Sequence, residues 1–251
     1  MTRSHPLAYR DLQFLDSDDG RPIRIISEYL APLRVFRDCG VTSTVVFFGS
    51  ARIRAQDALG HYLAEATELA RLVTEWSATL PGEQLVVCSG GGPGIMEAAN
   101  HGARLAGGRT VGLNIGLPQE QRPNPYITPE LSFEFHYFFM RKLWFAHLAR
   151  ALIAFPGGFG TFDELFEILT LAQTQKLDRK LPVLLYGSSY WQEVVNWQAL
   201  VRHGTIAAED LQLFEFVDEP RAALELLKRC VTLESRRPSA PCFARSRCPP
   251  V

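Results

Sequence analysis

Short apolar, β-branched runs recur along the chain, separated by longer stretches with helical spacing. Thr44–Phe48 (TVVFF), Leu85–Cys88 (LVVC), Thr110–Leu113, Ala151–Phe155 (ALIAF), Val183–Tyr186 and Leu213–Val217 read as strands, and Leu131–Phe135 as an edge strand. Between them, helical patterns cover Leu59–Trp76, Ile95–Ala106, Tyr137–Ala149, Thr161 to about Lys176, Tyr190–His203 and Pro220–Cys230. An earlier helix over 23–38 sets Ile26, Tyr29, Leu30, Leu33 and Phe36 on one side, with a kink or division expected at Pro32. Residues 114–130, rich in Pro and Asn, read as a loop. Strands alternating with helices predict an α/β fold: a single doubly wound, Rossmann-like parallel sheet with helices on both faces. That domain spans 23–234, after a flexible segment 1–22 and before a disordered tail 235–251 rich in Pro and Arg.

Composition narrows the function classes. Of 251 residues, 47% are hydrophobic and 21% charged, which excludes a mostly disordered chain. Lys plus Arg number 26 against 27 Asp plus Glu, so neither nucleic acid nor an anionic membrane surface is an expected partner. No apolar stretch approaches the roughly 20 residues of a membrane span, and the polar N-terminus lacks the apolar core of a signal peptide. The five cysteines, at 39, 88, 230, 242 and 248, fit no zinc spacing. Cys88 reads as a plain buried thiol, and Cys242 and Cys248 are able to pair under oxidation. The expectation is a reduced, cytoplasmic protein with no metal and no cofactor.

Three strands end in small-residue loops: Gly49-Ser50-Ala51-Arg52, Ser89 to Gly94, and Pro156 to Thr161. Ligands of open α/β sheets bind beyond the carboxyl ends of the strands. Two of the loops lead into helices, whose first N–H groups are unpaired and partly positive, and glycine lets a phosphate come close to them. The pattern suits a phosphorylated ligand; tight strand-to-helix turns would account for it without one. No Gly-Lys dipeptide exists, so a P-loop is excluded. Ile95 stands where a dinucleotide fingerprint needs its third glycine, and neither a His-Glu-x-x-His nor a Gly-x-Ser-x-Gly motif occurs.

Thr161-Phe162-Asp163-Glu164 has the form of a capping box, which by itself would explain both Thr161 and Glu164. Arg141 and Lys142 lie among Phe138, Phe139, Met140, Leu143, Trp144 and Phe145 and need partners. Snorkelling to solvent, an anionic ligand and Glu164 all remain open.

At these residues the chain resembles the LOG ("Lonely Guy") proteins, cytokinin riboside 5′-monophosphate phosphoribohydrolases often labelled lysine decarboxylases. Pro156-Gly157-Gly158-Phe159-Gly160-Thr161-Phe162-Asp163-Glu164 matches their Pro-Gly-Gly-x-Gly-Thr-x-x-Glu motif. Ser89–Met96 looks like the family's first glycine loop, Gly49-Ser50 like its Gly-Ser signature, and Thr170–Gln173 like the segment after its catalytic Glu. The likeness covers about residues 43–187. It implies hydrolysis of the N-glycosidic bond of a nucleoside 5′-monophosphate, with Arg141 and Glu164 as the catalytic pair. Gly157, Gly158, Gly160 and Thr161 would hold the phosphate, Lys142 and Thr170 would support binding, and Ser50, Gly91 and Gly92 join the substrate-binding set. A homodimer or higher homo-oligomer is implied as well; the apolar helix 137–149 would serve as its interface or as plain core. One departure stands out: the family's Met-His-x-Arg-Lys reads Phe138-Phe139-Met140-Arg141-Lys142 here, with Phe in place of His. Molybdenum-cofactor carrier proteins share the fold and a similar glycine motif, so a non-catalytic carrier or nucleotide sensor is the competing expectation.

Overall fold

Strand β1 (Ser43–Phe48) is buried along its whole length and runs through the middle of the molecule. Its alternate residues serve two layers: Val46 and Phe48 enter one core, Val45 and Phe47 the other, as the two-residue period of a strand requires. The computed structural model describes residues 6–82, 84–116, 122–177 and 180–234. Among them the chain steps outward from β1 through β2 (Leu85–Ser89) and β3 (Thr110–Ile115) to the edge strand β4 (Ser132–Phe135). It then returns to the other side of β1 as β5 (Ala149–Ala154) and proceeds through β6 (Val183–Tyr186) to β7 (Phe214–Val217). Every pairing in this seven-stranded sheet is parallel. The reversal between β1 and β5 is a topological switch point, where the crevice beyond the strand ends can accept a ligand.

After the short helix α1 (Leu12–Asp16), α2 (Arg21–Asp38) joins α5 (Phe138–Leu148), α6 (Phe159–Gln173), α7 (Ser188–Val194) and α8 (Trp197–Arg202) over one face. Helices α3 (His61–Ala78), α4 (Ile95–Leu105) and α9 (Pro220–Glu234) cover the other. The sheet is thus buried on both sides, which is why its central strands read as unbroken apolar runs. Among the described residues no helix is long and apolar enough to cross a membrane.

Several local expectations need correction. Pro32 does not divide its helix: α2 runs unbroken through it. Proline cannot donate to the carbonyl four residues back, and the Trp144 indole N–H donates to that Glu28 carbonyl instead, at 3.1 Å. The single helix expected over 190–203 is two, because the Asn196 side chain caps a new start by accepting from Ala199 N–H at 3.0 Å. Patterning also missed the turn Ala8–Arg10 and α1, whose start Asp11 caps through Phe14 N–H. The tail 235–251, with Cys242 and Cys248, lies outside the described residues.

Candidate active site at the switch point

Three loops meet beyond the ends of β1, β2 and β5. Ser50 joins them: its N–H donates to the Pro156 carbonyl at 3.0 Å, and its carbonyl accepts from Ile95 N–H, the first residue of α4, at 3.1 Å. The Ser50 hydroxyl turns inward on its own loop and accepts from Arg52 N–H at 3.0 Å. The fit leaves no room for side chains. A Cβ on Gly94, where φ is +67°, would stand 2.4 Å from the Ser50 carbonyl oxygen, and one on Gly157 would stand 2.1 Å from Thr161 Oγ1. At Gly158 and Gly160 the space is open, with nothing within 4 Å of an added Cβ. Glycine is therefore needed at 157 for packing, while at 158 and 160 it leaves the backbone bare toward the exterior.

The α6 helix begins at Phe159, two residues ahead of the expected start, with Gly158 before it and no side chain capping it. Thr161 sits buried in the first turn rather than at the cap. The capping-box explanation fails accordingly. Glu164 turns instead to α5, where its Oε1 accepts from Arg141 Nη2 at 2.6 Å. The two side chains are only 12% and 10% exposed. Of the three fates open to Arg141, the structure shows the pair with Glu164.

Electrostatics make this pair unusual. Burial pushes the Glu164 carboxyl up to about 7; Arg141 opposes the shift, Asp163 adds to it, and Lys142 and Glu167 act more weakly in opposite directions. The Arg141 guanidinium lies over the rings of Phe138 and Phe145, at 5.2 and 5.6 Å from their centroids. Its Nε is buried and has no hydrogen-bond partner among the described residues. Nearby Cys88 is a buried thiol, as expected, and burial beside Glu164 pushes it far from ionisation. Among the described residues no cluster of three or more His, Cys, Asp or Glu could hold a metal ion.

Lys142 and Thr170 both bond to residues of α6. Lys142 Nζ bridges Asp163 at 2.7 Å and Glu167 at 3.2 Å. Burial draws its pKa down, but the hydrogen bonds to those two carboxylates outweigh burial and the net shift is upward. Thr170 donates to the Phe166 carbonyl of its own helix at 2.7 Å. By helix rise it stands roughly 18 Å along α6 from Gly158. Both residues line an outer hollow of about 530 Å³ with Phe159, Phe162, Phe166 and Glu167, and neither Arg141 nor Glu164 lines it.

The second glycine loop is held by polar residues that the sequence did not point to. Asn124 Nδ2 donates to the carbonyls of Gly91 and Gly92, each at 3.1 Å, and to Asn100 Oδ1 at 2.9 Å. Ser89 Oγ donates to the same Asn100 oxygen at 2.7 Å and accepts from Gly91 N–H at 3.0 Å. Gly91 has φ +74°, and a Cβ there would strike the Asn114 amide at 2.3 Å. Tyr190, also missed, donates its hydroxyl to the Gly157 carbonyl at 2.6 Å. These partners are remote in sequence; the one local signal was Asn124, set between Pro123 and Pro125.

The profile of the family described as possible lysine decarboxylase matches residues 96–227. The pyrimidine/purine nucleotide 5′-monophosphate nucleosidase of Escherichia coli (strain K12) is 31% identical over 118 residues, 41% of this chain and 24% of that protein. The cytokinin riboside 5′-monophosphate phosphoribohydrolase LOG of Oryza sativa subsp. japonica is 32% identical over 130 residues, 51% of this chain and 48% of that one. A cytokinin riboside 5′-monophosphate phosphoribohydrolase of Rhodococcoides fascians is 31% identical over 115 residues, 45% of this chain and 56% of that one. The chain thus spans less than two thirds of the length of each of these relatives. Among solved structures, a structural-genomics target has a TM-score of 0.54 at 21% identity, covering 74% of this chain and 99% of its own. A molybdenum-cofactor carrier protein from Chlamydomonas reinhardtii has a TM-score of 0.51 at 18% identity, covering 76% and 99%. At such identities these two likenesses speak for the fold alone.

Proposed function

The chain belongs to the LOG family, described as possible lysine decarboxylases, and from that premise we propose that it hydrolyses the N-glycosidic bond of nucleoside 5′-monophosphates. The substrate is a cytokinin ribotide or an AMP-like nucleotide, and the products are the free base and ribose 5-phosphate. The observation that carries this reading is the buried Arg141–Glu164 pair, with Glu164 just past the first turn of the helix that follows the open glycine turn and Arg141 reaching it from α5. The names of the relatives agree with it at the level of the reaction class.

The chemistry follows from the charges. The bond from the anomeric carbon to the base breaks with its electrons going to the base, and positive charge builds on the ribose, as in glycoside hydrolysis. A carboxylate at Glu164 stabilises that charge and orients the water whose hydroxyl adds to the carbon; the water's other proton ends on the base. Arg141 holds the carboxylate in place and disperses charge on the departing base. The turn of Gly157, Gly158, Gly160 and Thr161 takes the 5′-phosphate, so binding far from the reacting bond fixes the sugar against Glu164. Ser50, Gly91 and Gly92 shape the neighbouring wall of the crevice.

A carrier of a phosphorylated ligand would use the same glycine turn, but it has no need of a buried carboxyl held near neutrality. The protein acts in the cytoplasm as a homodimer. Phe138, Phe139 and Leu143 on α5 and Phe159 on α6, the last 96% exposed, form the apolar face for the second copy. Incubation of the purified chain with AMP and isopentenyladenosine monophosphate tests the reading: free base and ribose 5-phosphate should appear in equal amounts. A co-purified phosphorylated ligand that is never cleaved would favour the carrier.

A further inference from the structure

The open glycine turn does not fix its own direction; two groups outside it do. Ser50 N–H donates to the Pro156 carbonyl at 3.0 Å, and the Tyr190 hydroxyl donates to the Gly157 carbonyl at 2.6 Å. The described chain contains no cis peptide, and in a trans peptide the carbonyl and the following N–H point opposite ways. Holding the Gly157 carbonyl toward α7 therefore aims the Gly158 N–H the other way. That N–H finds no acceptor among the described residues, and a Cβ added at Gly158 or Gly160 would meet nothing within 4 Å.

Tyr190 is itself firmly placed. Next to it, the Trp191 indole N–H donates to the carbonyls of Ala154, at the end of β5, and Tyr186, at the end of β6, each at 3.1 Å. The start of α7 is tied to Asp218, whose carboxylate accepts from Ser188 N–H at 2.7 Å and from its hydroxyl at 2.8 Å. Burial raises the Tyr190 pKa, so the hydroxyl keeps the proton it donates.

We propose that Tyr190 is a positioning residue for phosphate recognition: by gripping the Gly157 carbonyl it presets the Gly158 amide toward the 5′-phosphate. This rests on the phosphoribohydrolase reading and adds to it a residue twenty-six positions beyond Glu164 that touches no substrate. Its effect belongs to the phosphate alone.

The test compares the full chain with Tyr190→Phe, which removes one oxygen and keeps the ring. For the variant, KM for AMP and Kd for ribose 5-phosphate should rise about five- to tenfold, the size of one lost hydrogen bond. The kcat and the inhibition constant of adenosine, which lacks the phosphate, should stay within about twofold, and thermal melting by circular dichroism checks that the variant is folded. A merely structural role would weaken adenosine and ribose 5-phosphate alike and lower kcat, which would overturn the proposal. If wild type binds ribose 5-phosphate and the variant binds it equally well, Tyr190 loses its role while the functional reading stands. If wild type neither binds ribose 5-phosphate nor cleaves AMP, the functional reading fails and the proposal falls with it.

Discussion

A carboxyl raised to about 7 by burial and steadied by an arginine at 2.6 Å can change protonation state in the neutral range. In the proposed mechanism Glu164 works as the carboxylate, so kcat/KM should climb as pH rises through about 7, and Glu164→Gln should abolish that limb while lowering kcat at least about 100-fold. Folding feels the same shift with the opposite sign. Because the folded value of about 7 lies above the ordinary 4.5, the folded state binds this proton more tightly. Its stability contribution is complete below 4.5 and is lost as pH rises through 7, so the melting temperature of wild type relative to Glu164→Gln should fall across that window. Two glycines separate packing from ligand access. Gly157→Ala meets Thr161 and Ser50 and should cost about 1–3 kcal/mol in urea unfolding. Gly160→Ala meets nothing and adds helix propensity, so it should hold or raise stability by up to about 1 kcal/mol while raising KM. At this scale the sequence exposed Arg141 and Glu164, because a nine-residue motif and two cations in an apolar helix are local signals. It hid Tyr190, Asn100 and Asn124, whose meaning lies in carbonyls 33, 11 and 33 residues away.

Elements were legible where burial is uniform. The strands emerged within a residue or two of their ends because a sheet covered on both faces demands continuous apolar runs. Helix boundaries depended on partners. The break before α8 follows from the Asn196 cap, and the continuity of α2 through Pro32 follows from an indole more than a hundred residues away. The same region of α2 also anchors the helix that carries Arg141. The Glu28 carboxylate accepts from His136 N–H at 2.8 Å and Tyr137 N–H at 3.2 Å, at the start of α5. A charge there also complements the helix dipole. Replacing it, Glu28→Ala should lower stability by about 1–2 kcal/mol by denaturant unfolding. It should also reduce kcat, since Arg141 rides on α5. A variant with unchanged stability would remove Glu28 from the support of that helix.

At the scale of the molecule, the sheet order puts two loops at the switch point and gathers the third beside them, so the fold by itself creates the crevice. The alternation of strands and helices disclosed this architecture, but not the partner that would cover Phe138, Phe139, Leu143 and Phe159. If those residues face a second copy, sedimentation should give twice the chain mass of 28.1 kDa, and Phe139→Glu should shift the protein toward that single-chain mass. The central claim is tested most directly by product analysis after the purified chain meets a panel of nucleoside 5′-monophosphates. The account requires free base and ribose 5-phosphate in a one-to-one ratio from at least one of them, with Glu164→Gln nearly inert. Intact nucleotides throughout, or a Glu164→Gln variant as fast as wild type, would contradict it.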